Sequence, residues 1–285
     1  MNFYTALSIT NAALNIPLSF VAVVGNALVL VSIARTPSLI SPSNVLLLGL
    51  AFSDFCIGLI VQPLYITLKF LQVTDAEKNF QVLTRMYMFC TGYLCLVSFG
   101  NVSLLSIDRF LALHLHLRYK ELVTVKRTVL FLGLLWVWSA VSISSSEMLQ
   151  KDTAFIVGAS VSCVAHCFNL ILYYKIYRIV TRHQLQIISQ AHVRPNTESV
   201  NITRFKRSFI SAFYVYLLFI ACYLPYTIMS VFESKLHLSV FEVSWTFVYV
   251  NSCLNPFLYS WRIEGVRTAI KSTIQKTKQL LMSLK

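Results

Sequence analysis

Seven stretches free or nearly free of charge recur along the chain: Ile16–Ala34, Asn44–Leu68, Met86–Ile107, Thr128–Ser146, Thr153–Tyr174, Ser208–Phe232 and Val243–Trp261. Crossing a hydrocarbon core of about 30 Å takes about 20 helical residues, which each stretch can supply. Lipid offers no hydrogen bonds, so a continuous helix is the simplest way to satisfy every backbone N–H and C=O. The alternation of period two that marks a membrane barrel strand is absent. The pattern predicts an all-α membrane protein, a bundle of seven transmembrane helices over 16–261. It leaves 1–15 as a short extracellular amino terminus and 262–285 as a cytoplasmic tail. In that tail Val266, Ala269, Ile270, Ile274, Leu280 and Leu281 are spaced among lysines and arginines. This predicts a short amphipathic helix lying on the lipids of an anionic inner leaflet.

Composition agrees with the pattern. Of 285 residues 56% are hydrophobic and 12% charged, and the mean hydropathy is +0.67, which excludes an ordinary soluble domain. The net charge of +13 is unevenly placed. If the amino terminus is outside, all but Lys69, Lys78, Arg85, Lys151 and Lys235 of the 24 Lys and Arg residues fall on inner segments. That asymmetry places the amino terminus outside and the carboxyl terminus in the cytoplasm. The basic excess then faces a membrane surface or a cytoplasmic partner, and nothing points to nucleic acid. All seven cysteines lie within apolar runs, so no disulfide framework is implied and the thiols read as small hydrophobes. The first apolar run starts too late, and lacks the basic leader, to read as a cleaved signal peptide.

The exceptions to the apolar pattern carry the chemistry. Asp54 lies near the middle of the second segment, and Asn26, Asn251, Ser252 and Asn255 lie in the first and seventh. Polar groups at such depth face inward and find partners, so these helices share a polar core. A helix-packing hydrogen bond suffices to explain Asn26. An unpaired carboxylate is too costly to be incidental, and a bound cation or a proton relieves it. Asp108-Arg109-Phe110 closes the third segment. By itself this triplet reads first as a stop signal whose arginine snorkels to the headgroups, and only second as a functional pair facing the cytoplasm. One reading of Asp54 is a relay in a seven-helix ion or proton transporter, although His166 is the only further ionisable residue suggesting a path. No Ser/His/Asp set or paired metal-ligand motif shares a depth, which argues against an enzyme.

Together the polar and proline positions resemble the rhodopsin-like (class A) G-protein-coupled receptors. The resemblance rests on Gly25-Asn26, Leu50-Ala51-x-x-Asp54, Asp108-Arg109-Phe110, Trp136, Cys222-Tyr223-Leu224-Pro225 and Asn255-Pro256-Phe257-Leu258-Tyr259, in that order over nearly the whole chain. It implies a plasma-membrane receptor that binds an extracellular ligand and activates a heterotrimeric G protein. Activation would move the sixth segment outward and release Arg109 from Asp108, with Tyr173 and Tyr259 stabilising the active arrangement. It also implies an allosteric sodium ion held by Asp54, Ser98, Asn251 and Asn255. Pro225 and Pro256 would kink the sixth and seventh segments, since each removes a backbone donor.

Several positions depart from the family pattern. Tyr223 stands where the sixth segment usually has a tryptophan, and Ala165 lies near the place of the fifth segment's customary proline. Thr84 replaces the cysteine of the usual outer disulfide, so no disulfide is expected. Phe205 stands where an acid would give Arg109 a second restraint, which implies raised basal activity with Asp108 as the one restraint. An amine receptor needs an acid at the position of Thr91, and a retinal receptor a lysine at Tyr249; both classes are therefore excluded as expectations. The short second outer connection and missing disulfide resemble the melanocortin, cannabinoid and lysophospholipid branch. A pocket for an unknown small-molecule, lipid or peptide ligand would be lined by Tyr65, Thr91, Cys95, Tyr223, Met229, Trp245 and Tyr249, although ordinary helix packing also explains these aromatics.

Overall fold

The computed structural model describes residues 3–73, 80–146, 148–149, 151–190, 197–231 and 238–283. It consists of helices α1 Phe3–Ala34, α2 Pro42–Cys56, α3 Gln62–Val73, α4 Phe80–His114, α5 Tyr119–Leu122, α6 Val125–Ser146, α7 Lys151–Gln190, α8 Thr197–Val231, α9 Leu238–Arg262 and α10 Glu264–Ser283. The short α5 lies between α4 and α6. The seven apolar segments fall in order on α1, α2 with α3, α4, α6, α7, α8 and α9, and the amphipathic tail forms α10. Among the described residues, five of these spans are long and apolar enough to cross a membrane: Thr5–Ala34, Pro42–Gln72, Gln81–His114, Val125–Ser146 and Ile210–Ile228. In α9, Ser244, Thr246, Asn251, Ser252 and Asn255 dilute the apolar run. Large apolar side chains such as Phe20, Leu130, Val137 and Val164 are exposed, as they are on a surface solvated by lipid.

Several helices run past the apolar segments, and two of these extensions bear on the polar residues. Helix α1 begins at Phe3, well ahead of Ile16, because Asn11 and Asn15, which interrupt the apolar pattern, find partners on other helices in the buried Tyr65 and the half-buried Thr246. Helix α4 continues to His114, so Asp108-Arg109-Phe110 lies inside a helix and does not end one. Pro225 and Pro256 both lie within helices, α8 and α9.

A π turn at Ile57–Val61 joins α2 to α3. Pro63 is the local cause: it has no N–H for the carbonyl of Gly58, five residues earlier. Ser19 of α1 supplies the missing donor, its hydroxyl donating to that carbonyl at 2.7 Å. A Cβ on Gly58 would meet the Cβ of Ala22 at 2.8 Å, so glycine allows α1 to come this close.

The chain divides into two compact units. The first comprises Met1–Ile40, Leu48–Phe99 and Leu217–Lys285; here α1 packs against α3, α9 and α10. Ser32 of α1 hydrogen-bonds Thr273 of α10 at 3.0 Å, and Val266 and Ala269 are buried. The second comprises Ser41–Leu47 and Gly100–Tyr216. Within it a Cβ on Gly100 of α4 would collide with Leu135 of α6 at 2.3 Å, which marks a close helix contact.

Candidate functional site

In the first unit, Asp54 is fully buried and accepts two hydrogen bonds. Ser252 Oγ donates to Oδ1 at 2.7 Å and Asn255 Nδ2 to Oδ2 at 2.7 Å. Both donors are neutral, so the carboxylate is hydrogen-bonded but not paired with a charge. Asn26 holds the neighbouring turn of α9 by donating to the carbonyl of Ser252 at 2.9 Å. Ser98 is also fully buried, and its hydroxyl pairs with that of Ser53 at 2.9 Å. The side-chain carbonyls of Asn251 and Asn255 are buried without hydrogen-bond partners among the described residues. Oxygens of this kind, a carboxylate and amide carbonyls, are donors suited to a hard cation. Ser252, expected from sequence in the polar core but not among the ion ligands, donates directly to Asp54.

Toward the amino-terminal end of α1 the same unit holds a second polar cluster. Asn11 donates to the Tyr65 hydroxyl at 2.6 Å, and Asn15 donates to Thr246 Oγ1 at 2.9 Å. Thr246 donates to Asn11 Oδ1 at 2.6 Å, and Gln62 Nε2 to Asn15 Oδ1 at 3.4 Å. Beside it Tyr65, Tyr87 and Tyr249 converge, with centroids 5.9 Å apart for Tyr65–Tyr87 and 5.7 Å for Tyr65–Tyr249. The hydroxyls of Tyr87 and Tyr249 lie 2.7 Å apart, and Trp245 stacks on Tyr249 at 6.4 Å. Deeper in the unit, Tyr223 stacks on Phe219 at 4.0 Å, and Phe219 meets Phe99 at 5.5 Å. Thr91 is buried. Of the residues expected to line a ligand pocket, Tyr65, Trp245 and Tyr249 pack against one another as aromatic neighbours; the side chain of Met229 lies outside the described residues. Sequence reading missed Asn11, Asn15, Gln62, Tyr87 and Thr246. Their one local signal was polarity inside apolar helices.

The second unit holds the Asp108-Arg109 pair. Both side chains are buried and form an ion pair, with Arg109 Nε donating to Asp108 Oδ2 at 3.1 Å. Asp108 has two further donors: Ser43 Oγ reaches Oδ2 at 2.8 Å and the Tyr119 hydroxyl reaches Oδ1 at 2.6 Å. The reversal after α4 passes through His116 with φ 47°, a left-handed residue, and α5 then brings Tyr119 back to the carboxylate. Burial, reinforced by the charge of Asp108, pushes the Tyr119 hydroxyl up to about 12, so it remains a donor at physiological pH. The carboxylate therefore has an arginine and two hydroxyls around it. Ser43 and Tyr119, which the sequence did not single out, hold Asp108 itself. The side chain of Phe205 lies outside the described residues.

Tyr173 belongs to this unit as well. Its hydroxyl donates to the carbonyl of Ala212 on α8 at 3.0 Å and accepts from Ser106 at 2.9 Å, and its ring stacks on Tyr216 at 5.0 Å. Tyr259 lies in the first unit, buried, with its hydroxyl lacking a hydrogen-bond partner among the described residues. All seven cysteines are free thiols.

Comparison with known proteins gives a family match that spans these sites. The model of the 7 transmembrane receptor (rhodopsin family) matches residues 25–259. Trace amine-associated receptor 5 of Homo sapiens is 27% identical over 296 aligned residues, covering 90% of this chain and 82% of the relative. Melatonin receptor type 1A of Gallus gallus is 25% identical, covering 89% and 77%. Trace amine-associated receptor 8b of Mus musculus is 25% identical, covering 92% and 86%. None of these three belongs to the melanocortin, cannabinoid and lysophospholipid branch, so they lend that finer resemblance no support.

Proposed function

The chain belongs to the rhodopsin family of seven-transmembrane receptors, and from that premise we propose how it signals. A membrane receptor of this family acts through G proteins. Its two states differ in free energy by an amount that a ligand shifts through differential affinity. In the resting arrangement Arg109 is held by Asp108, and Asp108 by Ser43 and Tyr119. Activation moves α8 outward, breaks the hydrogen bond from Tyr173 to the Ala212 carbonyl, and frees Arg109 to meet the G protein from the cytoplasmic side. Tyr173 and Tyr259 then stabilise the released arginine. The amino terminus faces the extracellular side of the plasma membrane and the carboxyl terminus the cytoplasm, as the charge asymmetry supports.

The Asp54 cluster suits an allosteric sodium ion that favours the resting state. Asp54 and the side-chain carbonyls of Asn251 and Asn255 would hold it, with Ser98 and Ser252 alongside. A bound cation supplies the positive charge that the two neutral donors of Asp54 do not. A transporter relay finds less support, since Asp54 is met by Ser252 and Asn255, neither of which carries a titratable proton.

The observation that carries the proposal is the three-donor clamp on Asp108. The test is nucleotide exchange on a panel of purified heterotrimeric G proteins, using the reconstituted full chain. Exchange that depends on Arg109 in at least one G protein supports the reading. Exchange equal for wild type and Arg109→Ala in every channel overturns it.

A further inference from the structure

The exposed face of α7 is not uniform along its length. Ser160, Val161, Val164, Ala165 and Phe168 line a groove of about 450 Å³ that is almost wholly apolar. It lies where two short side chains, Ser160 and Ala165, sit among larger ones. Val161, Val164 and Phe168 are exposed, so the groove is open on its outer side. Steps of four, three, three and four residues lead from Val164 through Phe168, Ile171 and Tyr174 to Arg178. That spacing keeps them on one helix face, and Ile171 and Tyr174 are exposed as well.

At the far end of this face the polar groups are already arranged. The Arg178 guanidinium lies over the Tyr174 ring, 5.9 Å from its centroid, and donates to the Tyr174 hydroxyl at 3.0 Å. A guanidinium has five N–H donors, and among the described residues no carboxylate meets those of Arg178. Lys175 and Arg182 are exposed beside it and likewise lack an acidic partner among the described residues. An arginine at a membrane interface can simply snorkel into water. Arg178 is instead pinned to a tyrosine, so its remaining donors are presented in a fixed arrangement and little freedom is left to lose on binding.

The distance between the two features is that of a lipid. Ten residues separate Phe168 from Arg178, a rise of about 15 Å. That is half of a hydrocarbon core of about 30 Å. A head group at Arg178 and a chain end at the groove are therefore one leaflet apart.

We propose that this face of α7 binds one phospholipid of net negative charge. The head group meets Arg178, Lys175 and Arg182, and an acyl chain lies in the groove at Val164 and Phe168. In the orientation proposed above, this end of α7 faces the cytoplasm, where anionic lipid is concentrated; the inference rests on that orientation and goes beyond it. The three cations select for charge, because they repel the ammonium of a choline head group.

The test is native mass spectrometry of the purified full chain. The chain is stripped of lipid and mixed with equal amounts of dioleoylphosphatidylserine and dioleoylphosphatidylcholine. One phosphatidylserine is expected to be retained in preference to phosphatidylcholine, and Arg178→Ala lowers that preference about fivefold. Val164→Trp, which fills the groove and leaves the cations in place, also lowers it. Both substitutions fall on exposed side chains, so the thermal unfolding midpoint should stay where it is in wild type. Equal retention of the two lipids by wild type overturns the proposal, as does a preference unchanged in Arg178→Ala or in Val164→Trp. A preference that falls equally in Lys271→Ala, on α10, overturns it too, since it then reports general surface charge. A dimer that Val164→Trp dissociates, with lipid retention unaltered, assigns the groove to a second copy of the chain and overturns it as well. None of these readouts uses a G protein, so failure here with Arg109-dependent exchange intact removes the lipid site and leaves the receptor reading standing.

Discussion

Each compact unit buries one hydrogen-bonded aspartate central to its polar cluster, and the two are satisfied in opposite ways. Asp54, in the middle of an apolar span, is met by neutral groups, Ser252 and Asn255. Asp108, near the end of α4, is met by the guanidinium of Arg109 and by two hydroxyls. The difference follows from where each carboxylate sits. A second fixed charge in the middle of a span adds its own desolvation cost, so neutral donors leave room for a removable cation. Near a helix end the arginine can reach water once released, which makes the ion pair a reversible contact. Under the function proposed above, one aspartate would sense an ion and the other would hold a switch.

The sharpest break in this comparison is loss of the arginine. Arg109→Ala is expected to reduce agonist-independent and agonist-driven nucleotide exchange by about 100-fold, near the upper end of allosteric coupling energies. Unfolding by denaturant should show the protein still folded. The next effect belongs to the other aspartate. Asp54→Ala strands the side chains of Ser252 and Asn255 and is expected to cost about 2–3 kcal/mol of stability. It should also remove any dependence of basal exchange on replacing sodium with a large organic cation. A preserved sodium effect in that variant would remove Asp54 from the ion site.

Smaller effects sharpen the account of the clamp. Tyr119→Phe deletes one charge-assisted hydrogen bond at a half-buried site, and a rise in basal exchange of about three- to tenfold is expected after discounting for solvent. Phe205→Glu, which supplies the acid that the family pattern leads one to expect, should lower basal exchange by about threefold. The smallest effect is with pH. The Tyr119 hydroxyl is raised to about 12, above its ordinary value of about 10. Its contribution is therefore complete below about pH 10 and lost as pH rises through about 12. Between about pH 6 and 9 the difference in basal exchange between wild type and Tyr119→Phe should stay constant.

Much of this architecture is legible in the sequence because lipid imposes length and apolarity on each span. The positions of the seven segments, the amphipathic α10, and the pairing of Asp54 with Asn255 all follow from pattern or resemblance. What is not legible is made by partners distant in sequence. The early start of α1 depends on Asn11 and Asn15 finding Tyr65 and Thr246, 54 and 231 residues away. The π turn announces itself only through Pro63, and its repair by Ser19 comes from another helix. Ser43 and Tyr119 carry no motif; they matter because the ends of α2 and α5 come to the same carboxylate. Ser98 illustrates the converse: expected at the ion site from the resemblance, it is fully buried and its hydroxyl pairs with Ser53.

The central claim is that the resting state is held by a clamp on Asp108 and not by Arg109's ion pair alone. Ligand-free nucleotide exchange by the Ser43→Ala/Tyr119→Phe double variant, reconstituted beside wild type at equal receptor density, tests it most directly. The clamp predicts a basal rate about tenfold or more above wild type, with Asp108 and Arg109 untouched. A basal rate equal to wild type, with the double variant folded and still responsive to Arg109→Ala, would contradict it.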